Sequence, residues 1–219
     1  PSPPMPDIPA SPAHPPLRLH EPAPAFRART TQGDLALEDY RGRWVLLFSH
    51  PADFTPVCTS EFIAFARAQA RFDALDCALL ALSVDGLFSH LAWLRDIQAR
   101  FGVTIGFPVI EDPSMAIARG YGMVDPAAGD SATTRVTYVI DPQGIVRAMS
   151  WYPMEVGRSV EELLRLVTAL QTADRERAAT PEGWQPGGRL LEPVPLDAEA
   201  ALAVQPADDE AWYFRWRAP

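Results

Sequence analysis

The sequence predicts an α/β fold with a mixed central sheet flanked by helices and a C-terminal extension. Three observations carry that expectation. Short apolar runs of strand length alternate with helically patterned segments in the order βαβαβαββα, which implies parallel early strands and an antiparallel hairpin at the end. Hydrophobic residues make up 47% and charged residues 21% of the 219-residue chain, enough apolar material for one sizeable domain. From about Thr180 the composition turns rich in proline and glycine and then aromatic, marking an appendage too small to fold alone.

Each element has its own signal. The stretch RWVLLFSH, Arg43 to His50, is a near-continuous apolar run, as in a strand buried on both faces. From Thr55 to Phe72, the side chains of Phe62, Phe65, Ala66 and Phe72 fall at helical spacing. CALLALSVD, Cys77 to Asp85, predicts a second buried strand. Ser89 to Arg100 predicts a helix with Leu91, Leu94 and Ile97 as its apolar face and Gly102 as its stop. Pro108 to Ile110 predicts a short strand, and a short helix is expected to open near Pro113. Two β-rich runs flank Asp141 to Gly144, a hairpin signal. Ser159, with Glu162 three residues on, reads as a capping box opening the last long helix. Before the first strand, turn chemistry stands at Gln32-Gly33-Asp34 and at Arg41-Gly42, and no strand is predicted there.

Charge excludes some partners. The formal net charge of −9 argues against nucleic acid or an anionic membrane surface, both of which select basic patches. No run approaches the roughly eighteen apolar residues of a membrane-spanning helix. Ten of the 23 prolines fall within the first 24 residues, so residues 1–16 read as an extended, polyproline-like arm. That arm has no apolar centre and no basic start, so it does not read as a secretion signal. The expected compartment is therefore the reducing cytoplasm. Two cysteines make no disulfide scaffold for a chain of this size, and either one matters as a thiol.

Cys58 stands where a thiol becomes reactive. Thr55 suits an N-cap and Pro56 the first helical position, which puts Cys58 at the third, inside the first turn. Free backbone N–H groups and the positive end of the helix dipole both favour a thiolate there. The Thr55 hydroxyl is also expected to reach the Cys58 backbone or side chain. Cys77 opens an apolar strand with no capping or basic residue beside it and reads as a packed core residue.

The string Pro51-Ala-Asp-Phe-Thr55-Pro-Val-Cys58 resembles the PxxxTxxC motif of peroxiredoxins, thioredoxin-fold enzymes that reduce peroxides with a cysteine thiolate. SHPADFTPVCTSE, HLAWLRDI, TTRVTYVID and WYPMEVGRS, in that order, resemble the one-cysteine subgroup with a long C-terminal extension. The resemblance implies a thioredoxin-like peroxidase domain over residues 17–179 and an extension over 180–219 that serves dimerisation. It implies that Cys58 attacks a peroxide oxygen of hydrogen peroxide or an organic hydroperoxide. A sulfenic acid forms, and water or an alcohol leaves. Thr55 would bind and orient the peroxide, Pro51 would screen the site from water, and Arg135 would hold the thiolate and the developing charge. Glu61, Arg158 and His50 would form a supporting shell, although a packed histidine fits His50 equally well. No cofactor and no metal is expected.

The oxidised cysteine must be returned to thiol. Cys77 is expected to be buried and a poor resolving partner, and the tail DDEAWYFRWRAP holds no cysteine. An external reductant is therefore expected: thioredoxin, glutaredoxin or a small thiol. The aromatic tail, interleaved with Arg215 and Arg217, is expected to pack in a homodimer, with a higher ring as the larger alternative. Two other readings stand beside this one. Some relatives are assigned a phospholipase activity through a serine before the first buried strand, but Arg43 stands there. A chaperone or redox-signalling scaffold on the same fold is the other, since fold does not fix function.

Overall fold

The computed structural model describes residues 17–124 and 130–218; the proline-rich arm at 1–16 lies outside them. The chain opens with a hairpin, β1 (Arg27–Thr30) and β2 (Gly33–Ala36), which the sequence pattern does not predict. Its turn is the predicted Gln32-Gly33 site, where Gly33 takes φ +100°, a left-handed conformation that glycine adopts without steric penalty. The strands are four residues long and half-exposed at the sheet edge, so RART and GDLA carry no apolar alternation to betray them.

The remaining elements follow the predicted order. They are β3 (Trp44–Ser49), α1 (Pro56–Ala74), β4 (Cys77–Ser83), α2 (Leu87–Phe101), β5 (Val109–Glu111), α3 (Ala116–Gly120), β6 (Arg135–Ile140), β7 (Val146–Tyr152) and α4 (Val160–Glu176). Strands β1 to β7 form one sheet in the order β2-β1-β5-β4-β3-β6-β7. Strands β3, β4 and β5 are parallel, while β1, β6 and β7 pair antiparallel with their neighbours. The sheet is mixed, as expected.

Both faces of the centre are covered, so β3 and β4 are apolar throughout. Leu46 and Phe48 point into one core with Phe62, Phe65 and Phe72 of α1, Trp93 and Ile97 of α2, and Leu163 and Val167 of α4. Val45 and Leu47 point the other way, into a second core with Tyr121, Tyr138, Phe26 and Leu37. The α2 face differs from the expected one. Its buried residues are His90, Trp93 and Ile97, while Leu91 is exposed. Gly102 ends α2 in the left-handed conformation, as predicted. Ser159 Oγ accepts from the Glu162 N–H at 3.2 Å, but the Glu162 carboxylate is taken by Arg165, so the predicted capping box is half made.

After α4 comes a smaller unit: β8 (Leu190–Leu191), α5 (Ala198–Ala203) and β9 (Trp216–Arg217). Strand β8 pairs antiparallel with β9, and Trp184, Leu190 and Ala169 of α4 form a satellite core. No helix among the described residues is long and apolar enough to cross a membrane.

Candidate active site

The backbone leaves β3 at Ser49, makes a tight turn through Pro51 and Phe54, and enters α1 at Pro56. Thr55 is the N-cap and Pro56 occupies N1, so Cys58 lies in the first turn as the spacing predicts. Its side chain is fully buried. The Thr55 hydroxyl does not act as expected. It donates back to Ala52 O at 2.8 Å and makes no capping bond to α1. Thr55 thus closes the turn that precedes the helix and stays half-buried there.

Arg135 is the first residue of β6, antiparallel to β3 and two strands from β4. That register brings it to the end of the sheet where α1 begins. Its Nη1 donates to Cys58 Sγ at 3.3 Å and to Glu61 Oε2 at 3.0 Å. Nε and Nη2 both donate to Met154 O, at 3.0 and 2.7 Å. The planar fork is held at both ends, which fixes the nitrogen aimed at sulfur. The Arg135 side chain is 3% exposed.

Glu61, one turn beyond Cys58, organises the cations. Its two oxygens accept from Arg158 N, Nε and Nη2 at 2.8, 2.9 and 2.7 Å, besides the bond from Arg135. Arg158 also donates from Nη1 to Val136 O and Thr137 Oγ1, and its guanidinium lies 5.2 Å from the Phe48 ring centroid. Burial pushes the Glu61 carboxyl up, but the hydrogen bonds and charge of Arg158, joined by the charge of Arg135, outweigh it and hold Glu61 below the usual carboxylate range.

His50 is fully buried beside Phe62 and Trp93, with ring centroids 4.8 and 5.3 Å away. Its Nε2 bonds Asp53 Oδ1 at 3.0 Å, and the second oxygen of Asp53 meets His90 Nδ1 at 2.8 Å. Sequence reasoning names His50 but passes over Asp53, inside the motif, and His90. The signal for His90 is its place three and seven residues before Trp93 and Ile97, on the true buried stripe of α2. The ligating atoms of His50, Asp53 and His90 lie within 4.8 Å of one another, near enough to hold a metal, yet they are already hydrogen-bonded to each other.

Cys77 behaves as predicted. It is buried at the start of β4, paired with Trp44, and burial pushes its thiol up to about 12. Both cysteines are free thiols. Cys77 and Cys58 lie at opposite ends of the parallel β3–β4 pair, separated by a strand length at roughly 3.3 Å per residue.

Comparison with known proteins places the chain in a family. The model of the AhpC/TSA family matches residues 19–149, and that of the C-terminal domain of 1-Cys peroxiredoxin matches residues 169–207. The chain belongs to the peroxiredoxin family. A peroxiredoxin of Aquifex aeolicus is 54% identical over 170 residues, covering 77% of each chain. One of Thermoplasma volcanium is 45% identical over 205 residues, covering 92% of this chain and 98% of its own. Among solved structures, a cysteine-to-serine mutant of peroxiredoxin 6 of Arenicola marina superposes with a TM-score of 0.82 at 33% identity, covering 92% of this chain and 98% of its own. A yeast mitochondrial 1-Cys peroxiredoxin does so with 0.82 at 39% identity, covering 93% and 100%. As a peroxiredoxin, the chain is a thiol-dependent peroxidase on a thioredoxin-like fold.

Proposed function

We propose that Cys58 is the peroxidatic nucleophile, that it reduces hydrogen peroxide and organic hydroperoxides, and that it completes its cycle with an external thiol. The observation that carries this is the buried guanidinium of Arg135, aimed at Sγ from 3.3 Å and braced by Glu61 and Met154 O. A cation donating to sulfur favours negative charge there, and the helix N-terminus adds to it. The thiolate attacks the near peroxide oxygen, the O–O bond breaks, and the far oxygen departs with its electron pair and takes a proton as water or alcohol. Arg135 stabilises the charge that moves across the breaking bond. Thr55 orients the peroxide with the hydroxyl oxygen that remains able to accept, and Pro51, buried in the turn, keeps water from the sulfur. Glu61 and Arg158 hold Arg135.

The reductant comes from outside the chain. Two sulfurs must bring their Cα atoms within about 7 Å to bond, and Cys77 sits a strand length away from Cys58. The yeast mitochondrial 1-Cys peroxiredoxin resolves its thiol via glutathione and thioredoxin systems. A thiol of either class is the donor we assign to this chain, with glutaredoxin the protein carrier for the first. Two free thiols suit a reducing compartment, the cytoplasm. Residues 17–179 form the peroxidase unit. The extension 180–219 serves a homodimer, a reading supported by Leu196, Leu202, Trp212 and Tyr213, all exposed on the single chain.

The test is rapid mixing with hydrogen peroxide. Wild-type enzyme should oxidise far faster than a free thiol, Cys58→Ser should not react, and turnover should appear with one of the named reductants. Equal peroxide consumption by Cys58→Ser would sink the assignment.

A further inference from the structure

The turn between β3 and α1 is strained and heavily anchored. Phe54 takes φ +56°, a conformation that is unfavourable for a bulky side chain and persists only where the surroundings over-determine it. The anchors converge on its neighbour. Asp53 N–H donates to Asp85 Oδ2 at 3.0 Å, and the Asp53 carboxylate bonds one histidine with each oxygen. His50 is itself fixed by its backbone, with its N–H on Leu82 O and its carbonyl accepting from Thr133 Oγ1.

Proton counting sharpens this cluster. The two nitrogens of His90 face Asp53 Oδ2 at 2.8 Å and Ile110 O at 3.2 Å. Both are oxygens, and the carbonyl can only accept. With Asp53 ionised, His90 donates from both nitrogens. His50 donates to Asp53 from Nε2, and its Nδ1 has no partner among the described residues. A bare lone pair is the less costly orphan, since unpaired buried N–H groups are rarer than unpaired acceptors. That favours an uncharged His50, consistent with burial, which pushes its imidazole down against the opposing pull of Asp53. For Asp53, burial acts upward, but the bonds from His50 and His90 outweigh it and keep the carboxyl well below its usual range. The other charges around the cluster are Asp85, beyond β4, and Glu111 of β5, which pairs with Arg29.

We propose that Asp53 and His90 are positioning residues of the peroxidase: a buried imidazolium–carboxylate pair that holds the Pro51–Thr55 turn in its strained shape and keeps His50 in its Nε2–H tautomer. The proposal rests on reading that turn as the peroxide pocket. It ties α2, which touches no substrate in that reading, to the groups that do. A metal on the same atoms would instead leave His50 Nδ1–H without an acceptor.

The test has a spectroscopic arm and a kinetic arm. The full chain has four histidines, so long-range nitrogen–proton correlation can follow each ring. Wild-type His90 should carry a proton on both nitrogens and His50 on Nε2 alone. Asp53→Asn should remove the Nδ1 proton of His90 and leave the His50 tautomer in place, because the amide can donate to one ring while accepting from the other. In stopped flow, Asp53→Asn should slow oxidation of Cys58 by peroxide about tenfold, as one charge-assisted bond is lost, and Asp53→Ala about 10²-fold, as the turn moves. Reduction of the preformed sulfenic acid by thiol should keep its rate, which a general loss of stability would not spare. A bare nitrogen on wild-type His90, a full-rate folded Asp53→Ala, or one equivalent of bound metal would overturn the proposal. If Asp53→Ala does not fold, Asp53→Asn and the ring protons decide. Failure of the parent reading would show separately, as activity in Cys58→Ser with the ring protons unchanged.

Discussion

Glu61→Gln probes the site through stability as well as activity. Glu61 is 3% exposed and accepts four hydrogen bonds, three from Arg158 and one from Arg135. Glutamine can keep the two on Oε1, from Arg158 N and Nε. Its amide nitrogen then faces Arg135 Nη1 and Arg158 Nη2, donor against donor. Two hydrogen bonds to a charged group are lost, at about 1.5–3 kcal/mol each. The total of about 3–6 kcal/mol agrees with the roughly 3–5 kcal/mol for breaking a buried ion pair. At about 2–4 °C per kcal/mol for a chain of this size, Tm should fall by about 6–24 °C. The pH dependence has a definite sign. The folded-state carboxyl is held below its usual value of 4.5, so its contribution is present above that value and is lost as pH falls through the folded-state value. The gap between wild type and variant should therefore be full at neutral pH and shrink under acid, which urea unfolding at neutral pH and near pH 4 would measure. A variant within about 0.5 kcal/mol of wild type at neutral pH, the range usual for a surface change, would refute the network as drawn.

Other changes give separate checks. Cys77→Ser should leave turnover near the wild-type rate, and excess peroxide should carry Cys58 to sulfinic and sulfonic acids; a Cys58–Cys77 disulfide in the intact mass would contradict the one-cysteine cycle. Arg135→Lys should slow peroxide oxidation of Cys58 by about 10²-fold, because a single ammonium cannot serve sulfur, Glu61 and Met154 O at once; stopped flow with an unchanged rate would remove Arg135 from the reaction. Replacing Trp212 and Tyr213 together by alanine should raise the dimer dissociation constant about tenfold or more, measured by sedimentation; an unchanged constant would mean that the extension lies outside the interface.

What is readable in the sequence depends on whether the signal is local. Thr55 and Pro56 announce a helix start through their own backbone chemistry, so Cys58 can be placed in the first turn without tertiary information. The run from Trp44 to Ser49 is apolar because both faces are covered, and it can be read for the same reason. The hairpin β1–β2 escapes because an edge strand needs no apolar pattern. The buried face of α2 is misread because two leucines outweigh one histidine on any hydrophobic count, whereas the fold buries His90 to meet Asp53. Local chemistry sends the Thr55 hydroxyl to the helix, its usual partner, but Ala52 O lies within reach on the other side of the turn. Arg135, Glu61 and Arg158 come from family resemblance alone. No local pattern says that residues 61, 135 and 158 converge, since β-sheet register does that.

The charges of this network bear on the role proposed for Cys58. Arg135, Arg158 and Glu61 are all buried, and two guanidiniums against one carboxylate leave one positive charge over. An uncompensated charge out of water is expensive by several kcal/mol, so the pocket is electrically incomplete until an anion enters it. Among the described residues, the sulfur of Cys58 lies against that surplus and accepts from Arg135 Nη1. The histidine cluster differs, because its carboxylate, Asp53, meets two imidazole rings and no guanidinium. The electrostatic setting of the sulfur therefore lies partly outside the eight residues from Pro51 to Cys58. It resides in the first residue of β6 and in the loop that carries Met154 and Arg158, whose register with α1 sets the charge surplus beside sulfur. A chain with the same eight residues but without that register would keep the helix start and the turn, and would lose the excess positive charge placed beside Cys58 Sγ.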